Sequence, residues 1–154
     1  MRTTLIFLSL LFIMIGCSTG GEQEVLVAPK NFKGYVLVIF DQKNGQPIRY
    51  IGKKRVYEIP ANGILKTQFK VNNSWRDLTE YYVDEISPEN MLPSFVEAEK
   101  NPRDKTVGFM GETGKVKKNS KSTERVEFSE FYIGARSDIE KAKNLVEKLD
   151  MANL

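Results

Sequence analysis

"GYVLVIFDQKNGQPIRYIGKKRVYEIPANGILKTQF", residues 34–69, decides the fold class. Tyr35 to Phe40 carries β-branched and aromatic residues on both faces, the composition of an interior strand buried on two sides. Asn44-Gly45, just after Asp41, is a strong turn signal, and Pro47 delays the next central strand. Arg55 to Ile59 alternates again, with polar Glu58 between apolar neighbours, and Pro60 stops it. Asn62-Gly63 supplies the positive φ of a second turn, and Ile64 to Val71 reads as the following strand. Turns of this kind are explained by backbone geometry and need no ligand.

Outward from this stretch the same period recurs. A period-two pattern begins at Val25, and Glu80 to Asp84, Val107 to Met110 and Arg125 to Ile133 add further short β segments. About seven short strands at regular spacing, with few helix signals, predict a mainly β fold. The expected architecture is a single antiparallel β-sandwich or open barrel. The period then changes. Ser137-Asp-Ile-Glu140 fits a capping box, and Ile139, Ala142, Leu145, Val146 and Leu149 fall on one helical face. This predicts a C-terminal amphipathic helix over 137–150, placed to cover an open edge of the sheet.

Before the β region the chain has a different character. Met1-Arg2 is a short positive start, and Leu5 to Ile15 is an apolar run broken only by Ser9. The run is too short to span a membrane comfortably and has the outline of a secretory signal, residues 1–16. Gly16-Cys17 stands where the Ala-x-Ala of ordinary cleavage is expected. Ile15-Gly16-Cys17, preceded by apolar Met14, resembles the lipobox of bacterial lipoproteins. That resemblance implies lipidation of the Cys17 thiol, cleavage before it, and a membrane anchor. Met14 departs from the family's usual Leu. Ser18 after the cysteine is the residue that, in enterobacterial-type lipoproteins, goes with the outer membrane rather than the inner one. Residues 17–24 then read as the lipidated cysteine and a polar Gly-containing tether, with the β domain over 25–154.

The chain has 23 basic and 20 acidic residues; removal of Arg2 with the signal leaves 22 against 20. Near-balanced charge, export and the lack of a recognition motif argue against nucleic acid as a partner. Histidine is absent and Cys17 is the sole cysteine. A Ser-His-Asp or Cys-His engine and a conventional zinc site therefore have no residues to be built from. A lipidated Cys17 also leaves no disulfide, so burial and hydrogen bonding alone must hold the fold.

The stretch 34–69 also resembles an uncharacterised family of bacterial lipoproteins, of unknown function. The shared elements are Gly34-Tyr35, the Asn44-Gly45 turn, and Val56-Tyr57-Glu58-Ile59-Pro60-Ala61-Asn62-Gly63-Ile64-Leu65-Lys66-Thr67. Tyr81-Tyr82-Val83-Asp84 and Phe131-Tyr132-Ile133-Gly134 continue the pattern. The resemblance implies architecture and anchoring and assigns no activity. A looser likeness, to transthyretin-like and carboxypeptidase-regulatory-type sandwiches, concerns the fold alone.

Chemistry-bearing residues are segregated. Asp77 to Glu99 holds seven carboxylates and no Lys or Arg, but lacks EF-hand spacing for calcium. Lys115, Lys117, Lys118, Lys121 and Arg125 form a basic segment, expected as a solvated hairpin or mobile loop. Its functional reading is contact with phosphate or carboxylate groups of envelope polysaccharide, lipid headgroups or another envelope protein. Trp75, Tyr81 and Tyr82 read as a core cap, or alternatively as a platform for stacking a sugar. No catalytic residue, metal ligand or cofactor is expected. The function expected is a non-catalytic structural or binding module in the envelope. The alternatives are an Asp/Glu-dependent carbohydrate-active hydrolase and a protein-binding, inhibitor-like lipoprotein.

Overall fold

The structure is a computed structural model and describes residues 20–74, 77–96, 104–118 and 121–139. Among the described residues nine strands form two sheets. The first has the order β3-β4-β1-β6-β7, from β1 (Glu24–Ala28), β3 (Tyr50–Ile51), β4 (Lys54–Glu58), β6 (Glu80–Val83) and β7 (Met91–Leu92). The second has the order β5-β2-β9-β8, from β2 (Gly34–Ile39), β5 (Ile64–Lys66), β8 (Thr106–Lys117) and β9 (Arg125–Ala135).

The core lies between the sheets. Leu26, Ala28, Tyr57 and Tyr81 of the first sheet pack with Val36, Val38, Leu65, Phe131 and Ile133 of the second, together with Phe40, Ile59 and Phe69. The interior-strand reading of Tyr35 to Phe40 holds: β2 lies between β5 and β9, and Val36, Leu37 and Val38 are fully buried. Burial of consecutive residues means that both faces of β2 are covered.

The sheets are mixed, which corrects the antiparallel expectation. β1 pairs parallel to both β4 and β6, and β2 pairs parallel to β5. The two Asn-Gly turns are present, but neither closes a hairpin. Gly63, at φ 76°, returns the chain from β4 in one sheet to β5 in the other. Gly45 donates to the Gln42 carbonyl, and the chain then passes along residues 66–68 into the first sheet. Turn chemistry fixes local backbone sign, whereas the sheet that receives the next strand is set by burial.

The seams between the sheets are short. On one side the Phe95 amide donates to the Gly108 carbonyl (2.7 Å) and the Gly108 amide to Pro93 (3.0 Å). On the other, the Gln46 side chain exchanges hydrogen bonds with the Glu58 backbone while its own backbone bonds Lys66 and Gln68. One seam thus depends on a side chain, so the sheets do not close into a barrel.

The predicted helix 137–150 falls almost wholly outside the described residues. Arg136–Asp138 form a 3₁₀ turn, and Ile139 packs against Val107 on the outer face of the second sheet. The tether is shorter than the sequence suggests. β1 opens on Glu24, Glu22 already pairs with Arg55 (2.6 Å), and Gln23 donates to the Leu78 carbonyl (3.1 Å).

Candidate functional site

Tyr81 organises the site from the inside. It faces inward from β6, and its ring lies against the backbone of Gly108 on β8, where only a residue without a Cβ fits. The same ring meets Phe131 edge-on at 6.4 Å. Above this contact a groove of about 410 Å3 opens between residues 73–74 and 77–79, the segment after β7 and β8. Phe95 and Phe109, edge-to-face at 5.2 Å, form one wall, with Leu78, Val96 and Met110 around the mouth. Leu78 and Val96 are 55% and 68% exposed, so the groove presents apolar surface to solvent. The Arg136 guanidinium caps Phe95 from outside at 5.1 Å.

One polar group in the wall stands out. Thr79 is only 6% exposed, lies two residues before Tyr81 on the same face of the chain, and its hydroxyl has no hydrogen-bond partner among the described residues. A buried hydroxyl without a partner forfeits about 1–3 kcal/mol. A ligand polar group or water in the groove would recover that loss. An apolar cleft with a few convergent polar groups is the usual form of a small-molecule site.

A second polar cluster lies inside the sandwich near the start of β1. Glu24 is 1% exposed, faces inward, and accepts a hydrogen bond from the buried Tyr57 hydroxyl at 3.0 Å. Burial, with the Glu24 charge beside it, pushes the Tyr57 phenol well above its ordinary range. Arg55, paired with Glu24 in the β1–β4 register, bonds the Glu22 carboxylate and stacks over the Phe69 ring at 4.9 Å. Burial alone would raise the Glu22 carboxyl; the hydrogen bonds from Arg55 and Tyr50 outweigh it and hold the group below its usual value. Arg55 is matched by Glu22, and Glu24 is held by the Tyr57 hydroxyl, which marks the cluster as a structural tie between the entering chain and the core.

A third cluster sits on the outer face of the second sheet. The β8–β9 register shifts between Met110 and Thr113, and this irregularity brings Glu112 beside Glu130. The Tyr35 hydroxyl is buried beside Glu130 without closing a hydrogen bond of good geometry. Burial, reinforced by the Glu112 charge, raises the Glu130 carboxyl above its ordinary range, although the Tyr35 phenol and the backbone pull the other way. A carboxyl raised on folding stabilises the fold below its unfolded pKa, and that contribution fades as pH rises through the folded value. Glu130→Gln, which keeps the shape and removes the charge, is therefore expected to raise Tm at pH 7. The advantage should shrink toward pH 4, where the wild-type carboxyl is protonated as well. Thermal unfolding of both proteins across that range checks it, and a variant less stable at pH 7 than at pH 4 relative to wild type would contradict the assignment.

The residues singled out from the sequence are scattered. Tyr81 is core and supports the groove. Tyr82 points to the opposite face and packs with Val25 and Val56. Trp75 lies outside the described residues. The basic segment is the β8–β9 hairpin. Lys115 pairs with Glu127 (2.6 Å) and Lys118 with Glu124 (3.0 Å), while Lys117 and Arg125 stand opposite each other in register and Lys121 lies on the turn. None of these basic residues lines the groove. Among the described residues no three carboxylates converge as a cation site. Sequence reading missed Thr79, Phe95 and Phe109. Their only sequence signal was apolar Leu78, Phe95 and Val96 scattered through a segment dominated by acids.

Residues 20–142 match the model of a family of unknown function, DUF6843. The chain belongs to DUF6843. The match spans the residues of both sheets and of the groove. Among solved structures the chain is similar to one named "Putative Lipoprotein from Bacillus anthracis", with a TM-score of 0.54 and 11% identity over 82% of this chain and 93% of that one. At that identity the likeness concerns the fold. No curated protein matches the chain.

Proposed function

We propose that this DUF6843 chain is a lipid-anchored, non-catalytic binding domain of the bacterial envelope, held at Cys17 and taking an apolar or amphipathic ligand in the groove. The outer membrane is the proposed location, on the strength of Ser18 after the cysteine. The observation that carries the binding role is the solvent-open apolar groove with the unsatisfied Thr79 hydroxyl in its wall. Support for anchoring comes from the Ile15-Gly16-Cys17 pattern and from the name of the similar solved structure. The non-catalytic reading is supported by the groove lining, where Asp77 is the single carboxylate among the described residues. Contact of the β8–β9 hairpin with envelope polysaccharide or another envelope protein belongs to the same proposal.

Two measurements test it. Mass spectrometry of the mature protein should give a chain beginning at Cys17 with a diacylglyceryl-sized addition, and Cys17→Ser should abolish both cleavage and addition. An unmodified N-terminus elsewhere sinks the anchor. For the groove, an environment-sensitive apolar dye should bind the wild-type protein and lose roughly tenfold in affinity with Leu78→Asp, since each 1.4 kcal/mol is a factor of ten. Unchanged dye binding in a folded variant would move the site elsewhere.

The hydrolase reading has one foothold, the Glu112–Glu130 pair, in which the raised Glu130 has the character of a general acid. Glycan-cleaving activity on envelope polysaccharide that Glu130→Gln removes would establish it.

A further inference from the structure

The lipid anchor and one rim of the first sheet are close together in the chain. Only residues 18–21 separate Cys17 from Glu22, and Glu22 is fixed by its bond to Arg55. Five peptide steps of at most about 3.5 Å keep Cys17 within about 17 Å of that point. Gly21 is itself seated against Asn72 and Ser74, so the connection has little freedom in its last step.

The parallel register of the first sheet defines what else stands at this end. Glu24 pairs with Arg55 and Val25 with Glu80, so the starts of β1, β4 and β6 are level. On one flank of the entering chain the β3–β4 hairpin carries on past Arg55, with Gly52 at φ 60° making its turn. Lys54 and the two-residue turn 52–53 carry the hairpin a short way past the level of Arg55, toward the same end as the start of β1. At the turn Ile51 is 43% exposed beside exposed Lys53, while Tyr50, opposite Arg55, packs edge-on against Phe69 at 5.3 Å and bonds Glu22. On the other flank exposed Leu78 sits beside Gln23, whose side chain holds its carbonyl.

Charge does not dominate this rim. Lys53, Lys54, Arg55 and Lys70 face Glu22, Asp77 and Glu80, with Arg55 bonded to Glu22 and Lys54 to Glu80. What the rim offers is exposed Ile51 on one side, and exposed Leu78 on the other, of the chain that leads to Cys17. A diacylglyceryl group holds the chain on the bilayer, and apolar groups buried a few ångströms into the headgroup boundary would add a contact that sets the domain's orientation.

We propose that Ile51, at the β3–β4 turn, and Leu78 insert into the interface of the bilayer that holds Cys17, so that the domain lies on its anchor in one orientation with the groove mouth, formed in part by Leu78, next to the lipid. The proposal rests on the anchoring reading above. It goes further in naming the bilayer interface as the partner of a specific surface, carried by apolar insertion with little dependence on lipid charge.

Lipidation of Cys17 leaves no free thiol, so a cysteine introduced elsewhere is uniquely labelled. The full, lipidated chain carrying Ile51→Cys, Leu78→Cys or, at the opposite end after β1, Lys33→Cys is labelled with a solvent-sensitive fluorophore and reconstituted in phosphatidylcholine vesicles containing nitroxide-labelled lipid. The expected result is quenching at 51 and 78 about threefold or more above that at 33, as insertion by a few ångströms implies. It should change little when phosphatidylglycerol is added. Equal quenching at the three positions, in protein whose mass shows the lipid on Cys17, overturns the proposal and leaves the anchor standing. A blue shift at 51 without lipid quenching also overturns it, because a second protein copy then covers the tip. A mass without lipid overturns the anchor and this surface together.

Discussion

Gly108→Ala is expected to destabilise the protein by about 3 kcal/mol, the upper part of the range for overpacking a close-packed core. The added methyl would fall within the Tyr81 ring, contacting three of its carbons, and neither partner can yield easily. Tyr81 is clamped between Phe131 and the body of the first sheet, and Gly108 is tied by two main-chain bonds to Pro93 and Phe95. Relief would require opening the seam that closes the groove. Two consequences should therefore appear together in Gly108→Ala: a fall in the denaturant midpoint and weaker binding of an apolar dye. A loss of less than about 1 kcal/mol by chemical denaturation would show that the seam is soft. Gly111→Ala is the control. Its Cβ would stand 3.1 Å or more from Glu130 atoms, mostly side chain, so the effect should be small.

The second large effect concerns the charge inside the sandwich. Tyr57→Phe removes the hydroxyl that donates to Glu24 while preserving the ring's edge-on contacts with Phe40 and Phe69. A hydrogen bond to a charged group contributes roughly 1.5–3 kcal/mol, and its loss leaves carboxylate capacity unmet in a dry interior. A cost of about 2 kcal/mol is expected, read as a drop in unfolding free energy at pH 7. Glu24→Gln in the same background should make the loss of the hydroxyl less severe, since a neutral amide is cheaper to leave short of a partner. A double-mutant cycle measures this coupling directly. Additive single effects would be evidence that Tyr57 and Glu24 act independently despite their contact.

The β character of the chain was legible because its signals are local. Period-two alternation, β-branched runs and the stops at Pro60 and Gly63 depend on neighbours in sequence, and β2, β4, β6, β8 and β9 appear near where those signals stand. Pairing was not legible. β1 lies between β4 and β6, strands that are remote from it in sequence, and parallel pairing of this kind leaves no mark in any one segment. The same limit applies to the candidate site. Tyr81 was singled out as an aromatic, yet its role comes from meeting Gly108 across the seam. Thr79 is an ordinary threonine until burial removes its water. Glu24, which the sequence reading left in a flexible tether, turns inward to Tyr57 because Glu22 and Gln23 are already bound.

By itself the sequence determined a mainly β chain without histidine, with its single cysteine, Cys17, at the border between an apolar run and a polar one. These conclusions follow from residue identity and short-range spacing, which the chain carries wherever it folds. Tertiary structure alone decided the mixed sheets, the side-chain seam at Gln46, the apolar groove over Tyr81, and the exposed rim beside the start of β1. Each of those depends on residues far apart in sequence being brought into contact, where burial changes what the same side chain can do.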